Sequence, residues 1–158
     1  MKGNYTRFPS VKKAQYKKLG QLFNPAWVDA MVAMIERENN SFFRWHDAGD
    51  VQSVKHFNNI CEVARKTPDI KHWLPTREHK IINDYVKAGN TIPDNLIVRI
   101  SATMIDDKPS KTATHTSTVH NQSDPIGYEC PAPKQDGECG DCRACWDTNI
   151  KNVSYKEH

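Results

Sequence analysis

The sequence has no hydrophobic segment long enough to cross a membrane and no secretory signal. Its apolar runs fall far short of the roughly 18 residues that a spanning helix needs. The first ten residues, MKGNYTRFPS, lack the apolar core of a signal peptide. We therefore expect a cytoplasmic protein without a membrane partner, in a compartment where thiols stay reduced.

Internal repeats and low-complexity segments are also missing, and cysteine is scarce over most of the chain. The 158 residues suit one domain, and 37% hydrophobic and 26% charged residues indicate a folded chain. A net charge of +3 permits contact with nucleic acid without demanding it. The densest basic residues, Lys12, Lys13, Lys17 and Lys18, are most simply a solvated helix face.

The chain alternates between patterns typical of helices and of strands. Helical spacing of apolar residues predicts helices over 24–40, 51–66 and 76–89. In the first two of these, Asn24 and Asp50 stand where a helix cap would lie. Short strands are predicted at the start of 41–50, over 70–75 and over 95–104, with a further one within 108–120.

This alternation predicts an α/β fold built from three or four βα units, with a mostly parallel, partial barrel-like sheet. We expect residues 1–122 to form this α/β domain. Residues 123–158 are rich in Pro, Gly, Asp and Cys, and predict an irregular Cys-rich metal-binding tail packed on the domain as part of a single compact unit.

Four of the five cysteines lie within sixteen residues of this tail, at Cys130, Cys139, Cys142 and Cys145. In a reducing compartment such crowding favours metal binding over disulfides. Four thiolates can complete a tetrahedral zinc site or bind the corners of an iron–sulfur cluster. The run C-x2-C-x2-C is typical of ferredoxins, so we favour [4Fe–4S] and keep Zn²⁺ as the alternative. Cys61 lies on an apolar helix stripe and reads as a core residue.

Residues around the cysteines suggest supporting roles. Gly137 and Gly140 allow tight turns, so that main-chain amides can point at sulfur. Arg143 can offset the negative charge of the thiolates, and Trp146 reads as a hydrophobic cover. His158, at the end of the chain, is either a fifth ligand or a frayed terminus.

Ligands of parallel sheets bind beyond the carboxyl ends of the strands, and several polar residues occupy those positions here. We expect them to form one ligand-binding rim, in which the arginines suit a phosphate or carboxylate and His46 suits an acid, a base or a metal ligand. The rim comprises Arg44, His46, Asp47, Asp50, Thr76, Arg77, Arg99, Ser101 and His120.

Several of these residues also have purely structural interpretations. Asp50 suits a helix cap, and Asp47 can hold the turn by bonding to the main chain of Gly49. Arg99 lies in an otherwise apolar strand and needs a partner, which an ion pair with Asp47 would provide. His46 can be a hydrogen-bonded core residue.

The segments GNYTRFPSVKKAQ, FRWHDAGD, WLPTR and CGDCRACW…VSYKEH together resemble the bacteriophage gene-product eighty-eight family over nearly the whole chain. The resemblance implies a phage or prophage origin, a βα architecture and the cytoplasm of the host cell. It also implies a distant similarity to radical S-adenosylmethionine barrels. Relatives generally carry a further cysteine group before the segment GNYTRFP, which this chain lacks, so we do not expect full radical chemistry.

Three functional classes remain open from the sequence, and it does not establish whether the protein is an enzyme. The first is an iron–sulfur protein with a redox, electron-transfer or structural role. The second is a zinc module without enzymatic activity that uses the early lysines to bind nucleic acid or a host or phage protein. The third, ranked lowest, is a hydrolase that uses the histidine–aspartate rim.

Overall fold

The computed structural model describes residues 8–46 and 49–157, except for the side chains of Gln15 and Lys18. Asp47 and His158, both singled out from the sequence, lie outside the described residues. The helices are α1 (Pro9–Gln21), α2 (Trp27–Arg37), α3 (Val54–Lys66) and α4 (His79–Lys87). The strands are β1 (Phe42–Arg44), β2 (Lys71–Thr76), β3 (Leu96–Ile105), β4 (His115–His120), β5 (Tyr128–Glu129) and β6 (Asn152–Lys156).

All six strands pair in parallel, in the order β1-β2-β3-β4-β6-β5, and form a sheet curled into half a barrel. The predicted α/β class and parallel, partial barrel-like sheet are therefore confirmed. The sheet is larger than the predicted three or four strands because β5 and β6 extend it beyond β4. No helix of the described chain is long and apolar enough to span a membrane.

One face of the sheet packs against the helices, and we call it the helix face. Apolar side chains of β2 and β3, such as Leu74 and Ile100, meet Phe57 and Ile60 of α3 and Tyr85 of α4 there. The apolar stripe predicted for α3 supplies this core, and Cys61 lies fully buried within it. Burial of these side chains holds α3 and α4 on the sheet.

The opposite face carries the alternate residues of the same strands, and we call it the tail face. Trp73 pairs in register with Arg44 and Ile97, and Ser101 pairs with Ser117, so these side chains point to one side. No described helix packs here. The segment between β5 and β6 covers part of this face instead, through a 3-10 turn over Ala144–Trp146.

Two predicted helix caps differ from those observed. Asp50 does not cap α3, because that helix starts three residues later and Ser53 accepts the amide of His56 at 3.1 Å. Asn24 lies two residues before the observed cap of α2, Ala26, and accepts its amide at 2.9 Å. Both side chains stabilise the turn that leads into the helix rather than the first helical turn itself.

The tail contains more regular structure than its composition predicts. Residues 128–129 and 152–156 are strands, and the amide of Cys130 continues the β5–β6 pairing by donating to the main-chain oxygen of Ser154 at 2.8 Å. Gly127 is required at the start of β5, because its φ is +73° and a Cβ atom would lie 2.8 Å from the oxygen of Asn152. The tail thus shares its sheet with residues 1–122.

Candidate metal centre

The four tail cysteines lie in one neighbourhood on the tail face. Cys145 is buried with Trp73 and Val153 in a small apolar cluster, against which Cys130 also packs. Cys139 and Cys142 are close enough that their charges raise the pKa of Cys130, after the larger effect of burial. All four are free thiols. The topology therefore brings Cys130, next to the edge strand, into the same apolar cluster as Cys145 of the loop that returns to β6.

A buried arginine fixes this loop to the sheet. Arg99 of β3 is 0% exposed, and among residues 8–46 and 49–157 its guanidinium donates to main-chain oxygens, most of them in the tail. Its Nε donates to Cys145 at 3.0 Å, its Nη2 donates to Ala144 and Asp147 at 3.0 Å, and its Nη1 donates to Ile150 at 2.9 Å. Five donors in a rigid plane can satisfy several carbonyls at once.

Two tyrosine hydroxyls contact the sulfur atoms. The hydroxyl of Tyr155 on β6 lies 3.2 Å from the Sγ of Cys145, and that of Tyr128 on β5 lies 3.4 Å from the Sγ of Cys142. A hydroxyl at this distance can donate to a thiolate sulfur and stabilise its charge. The two strands of the tail thus each place one donor beside one cysteine.

The pKa values of the thiols indicate how readily the cysteines could lose their protons to a metal. Burial raises the pKa of Cys145 to about 11, while the Tyr155 hydrogen bond and the charge of Arg99 oppose that rise. Burial also raises the pKa of Tyr155, and the hydrogen bond to Cys142 raises that of Tyr128. Without a cation the buried thiol of Cys145 stays protonated at neutral pH, so metal binding there would release a proton.

The loop that carries Cys139 and Cys142 is a tight turn. The amide of Cys142 donates to the oxygen of Cys139 at 3.0 Å. Gly140 has a φ of +51°, and a Cβ atom there would lie 2.8 Å from the side-chain nitrogen of Gln135. Arg143 binds the main-chain oxygens of Gly140 and Cys142 at 2.6 and 2.8 Å, so it stabilises the turn as well as adding positive charge.

Trp146 covers the boundary between the cysteine loop and the sheet. Its ring packs edge-on against Trp73 and Phe42, with centroids 5.2 and 5.6 Å away. Its indole nitrogen donates to the oxygen of Phe43 in β1 at 3.0 Å. The residue therefore combines the apolar contact predicted from the sequence with a hydrogen bond to the edge strand.

Within residues 8–46 and 49–157, no three Cys, His, Asp or Glu side chains lie close enough together to bind one metal ion. Tetrahedral zinc with bonds of about 2.3 Å needs its sulfur atoms roughly 3.8 Å apart. A cubane cluster holds its ligands farther apart, because each cysteine binds a different iron. Binding of a zinc ion or of an iron–sulfur cluster by the tail cysteines therefore stays a prediction.

One buried polar atom near the cysteines has no hydrogen-bond partner among the described residues. It is the indole nitrogen of Trp73, which belongs to the same apolar cluster as Cys145 and Cys130. An unpaired buried N–H is costly, and a bound inorganic group is one way to satisfy it. A cluster sulfur would provide such an acceptor, so this residue also fits the proposed group.

A groove of about 830 Å³ opens beside the loop at the amino ends of the strands. Phe42, Ile97 and Trp146 form part of its apolar lining, and Cys142 borders it. Lys71 and Arg143 each place a positive charge over the ring of Phe42, at 5.8 and 5.0 Å from its centroid. The groove gives solvent, or a second molecule, access to the Cys142 side of the cysteine site.

The rim residues that the structure describes do not assemble as one site. Asp50 and Thr76 meet on the helix face, where Thr76 Oγ1 donates to the Asp50 carboxylate at 2.5 Å. The amide of Arg77 donates to the other carboxylate oxygen at 2.8 Å. Asp50 thus fastens the loop after β1 to the end of β2.

The other rim residues lie elsewhere. On the tail face, Arg44 stacks on Trp73 at 5.0 Å, and Ser101 bonds Ser117 at 3.0 Å. His120 is buried beside β6, where its Nδ1 lies 2.8 Å from the hydroxyl of Ser154. The expected pairing of Arg99 with Asp47 falls partly outside the described residues.

His46 is partly buried and lies next to the buried His56 of α3, with their ring centroids 5.6 Å apart. Burial lowers the pKa of both, and that of His56 falls to about 4. The backbone of His46 is left-handed, with a φ of +59°, and its Nδ1 has no partner among the described residues. The sequence did not single out His56, which lies beside rather than on the predicted apolar stripe of α3 and is buried.

The comparison with protein families decides the relationship of the chain. Residues 1–148 match the model of the family described as Gene product 88. The chain belongs to that family. The resemblance to a bacteriophage gene-product family is thus confirmed. No curated protein and no solved structure matches the chain.

Sequence reasoning missed three residues of the site in this family member: Trp73, Tyr128 and Tyr155. Each lies on a strand whose alternation, once the pairing is known, directs the side chain to the tail face. Tyr155 lay in the predicted tail rather than in a strand. Tyr155 lies two residues after Val153, and residues two apart on a strand share a face, so this spacing is the sequence signal for its orientation.

Proposed function

We propose that this protein is an iron–sulfur protein of the host cytoplasm, in which Cys130, Cys139, Cys142 and Cys145 bind one [4Fe–4S] cluster. When bound, such a cluster supplies a one-electron redox centre. With four cysteine ligands it has no open iron, which favours electron transfer, redox sensing or a structural role over catalysis at the metal.

The observation that carries the proposal is the fastening of the cysteine loop to the sheet by Arg99. A buried guanidinium without a carboxylate partner is costly, and the described residues offer it only main-chain oxygens. Thiolates bound to a cluster would place negative charge beside it. A Cys145 thiolate would raise the pKa of Arg99, against the larger and opposite effect of burial.

The surrounding residues would then have defined roles. Tyr155 and Tyr128 would donate to the ligand sulfurs, and hydrogen bonds to sulfur raise the reduction potential of a cluster. Trp73 and Trp146 would limit the access of water from the sheet side. The groove beside Cys142 would let a redox partner approach from the other side.

Metal and sulfide analysis of anaerobically purified protein tests the proposal. We expect about four iron and four sulfide per chain and broad absorption near 400 nm. Serine at any of the four positions should lower the iron content, whereas Cys61→Ser, the matched control, should leave it unchanged because Cys61 lies in the helix-face core. Stoichiometric zinc without sulfide, or no metal at all, would overturn the proposal, and the former result would support the zinc module.

A further inference from the structure

The segment that contains the first helix is positively charged, whereas the rest of the chain has a net negative charge. Residues 1–28 contain six Lys or Arg and no Asp or Glu. Since the whole chain has 22 basic and 19 acidic residues, the remaining 130 residues have 16 and 19, a net charge of −3. Such asymmetry is typical of a segment that binds a polyanion.

Helix α1 is also almost without packing partners. Of its described side chains only Val11 is partly buried, and Tyr16 is 65% exposed. The connection to the body follows the helix, where Asn59 donates to the oxygen of Leu22 and Lys55 lies over Phe23. An isolated helix of 13 residues is marginal in water, so contact with a partner would stabilise it.

The lysines surround the exposed aromatic ring. Lys12 and Lys13 precede Tyr16 by four and three residues, which makes them its neighbours on the helix surface, and Lys17 lies four residues after Lys13 on the same stripe. Within the described part of the chain, no salt bridge involves these three lysines. Three unpaired cations around one aromatic ring are therefore available to a ligand.

We propose that α1 binds single-stranded nucleic acid, with Lys12, Lys13 and Lys17 on phosphates and Tyr16 stacked on a base. Bases are accessible for stacking only where strands are unpaired, and such stacking tolerates any sequence. An anionic membrane fits less well, because the apolar residues of α1 do not gather on one side and so form no wide apolar face. This surface is independent of the cysteine site.

Fluorescence anisotropy with a labelled single-stranded oligonucleotide of mixed sequence, measured over a series of salt concentrations, tests the proposal on the full chain. Replacing Lys12, Lys13 and Lys17 by Glu should weaken binding and reduce the salt slope by about 2, since each phosphate contact contributes roughly 0.7. The matched control replaces the exposed Lys87, Lys108 and Lys111 by Glu, with the same change in net charge. It should retain most of the affinity.

Stacking is tested separately. Tyr16→Ala should weaken binding about 5- to 150-fold, whereas Tyr16→Phe should retain the affinity, because the ring rather than the hydroxyl stacks. Equal losses in the two lysine variants, no salt-dependent binding, or stronger binding to a duplex or to phosphatidylserine vesicles would overturn the proposal. None of these outcomes depends on whether the cysteines bind a metal.

Discussion

The guanidinium Nε of Arg99, on the third strand, donates a hydrogen bond of 3.0 Å to the main-chain oxygen of Cys145 in the tail. The two residues are 46 positions apart in the chain. The contact joins the centre of the parallel sheet to the loop that carries three of the four proposed ligands. It makes Arg99 the main polar anchor of that loop.

Replacing Arg99 by Leu should therefore lower the free energy of unfolding by about 3 kcal/mol or more. Several buried main-chain oxygens would lose their donor, and each unsatisfied group costs about 1–3 kcal/mol. Urea denaturation followed by circular dichroism measures the effect. The control, Arg37→Leu on an exposed position of α2, should change stability by no more than about 0.5 kcal/mol. Equal effects at the two positions would contradict the anchoring role.

Trp146 offers a graded test of how the loop is held on the edge strand. Trp146→Phe keeps a ring against Trp73 and Phe42 but removes the hydrogen bond to Phe43, so we expect a loss of about 1 kcal/mol. Trp146→Ala also removes the ring contacts and should cost roughly 2–3 kcal/mol, because the side chain is only partly buried. Thermal unfolding of both variants should preserve this order, and a more stable Ala variant would contradict it.

Asp50 fastens the loop after β1 to β2, and its removal should destabilise that connection. Asp50→Ala leaves the hydroxyl of Thr76 and the amides of Arg77 and Val51 without their acceptor, so we expect a loss of roughly 2–3 kcal/mol. Asp50→Asn should lose less, since one acceptor oxygen remains. Asp124→Ala, at an exposed position, serves as the control for urea denaturation. A loss at Asp124 as large as that at Asp50 would exclude the proposed fastening role.

Two buried histidines predict how stability depends on pH. Burial lowers the pKa of His56 and of His72 to about 4, against about 6.5 in an unfolded chain. Between these values the unfolded state binds more protons, so stability is complete above about pH 6.5 and falls as the pH drops toward 4. The slope is up to about 1.4 kcal/mol per pH unit for each histidine.

Urea denaturation at several pH values between 4 and 7 measures this slope. His72→Gln should reduce the slope by up to about 1.4 kcal/mol per pH unit and leave part of it, because His56 would still take up its proton on unfolding. If the variant and the parent lose stability equally over this range, His72 is not the group responsible.

The sequence predicted the helix–strand alternation because buried strands and amphipathic helices leave strong periodic patterns. It did not predict β5 and β6, which are short and are held by pairing with β4 and with each other. The rim was predicted from the positions of strand ends, without knowing which face of the sheet each side chain points to. Thr76 pairs in register with Ile100, so the neighbouring Arg99 points to the opposite side of the sheet.

The four candidate ligands come from cysteine spacing alone, since metal-ligand motifs are local in sequence, and metal binding there stays a prediction. The role of Arg99 was not, because its partners are main-chain oxygens 45 to 51 residues away and any residue type can provide them. The positions of Tyr155 and Trp73 beside the cysteines were not predicted either. Their contribution depends on which face of the sheet the tail covers.

The central claim is that the four tail cysteines surround one inorganic cluster. Anomalous X-ray diffraction from crystals of anaerobically purified protein, recorded on both sides of the iron and the zinc absorption edges, tests it most directly. We predict an iron signal within bonding distance of the sulfur atoms of Cys130, Cys139, Cys142 and Cys145. Sulfur atoms joined as disulfides, a single zinc in their place, or no metal between them would contradict the account.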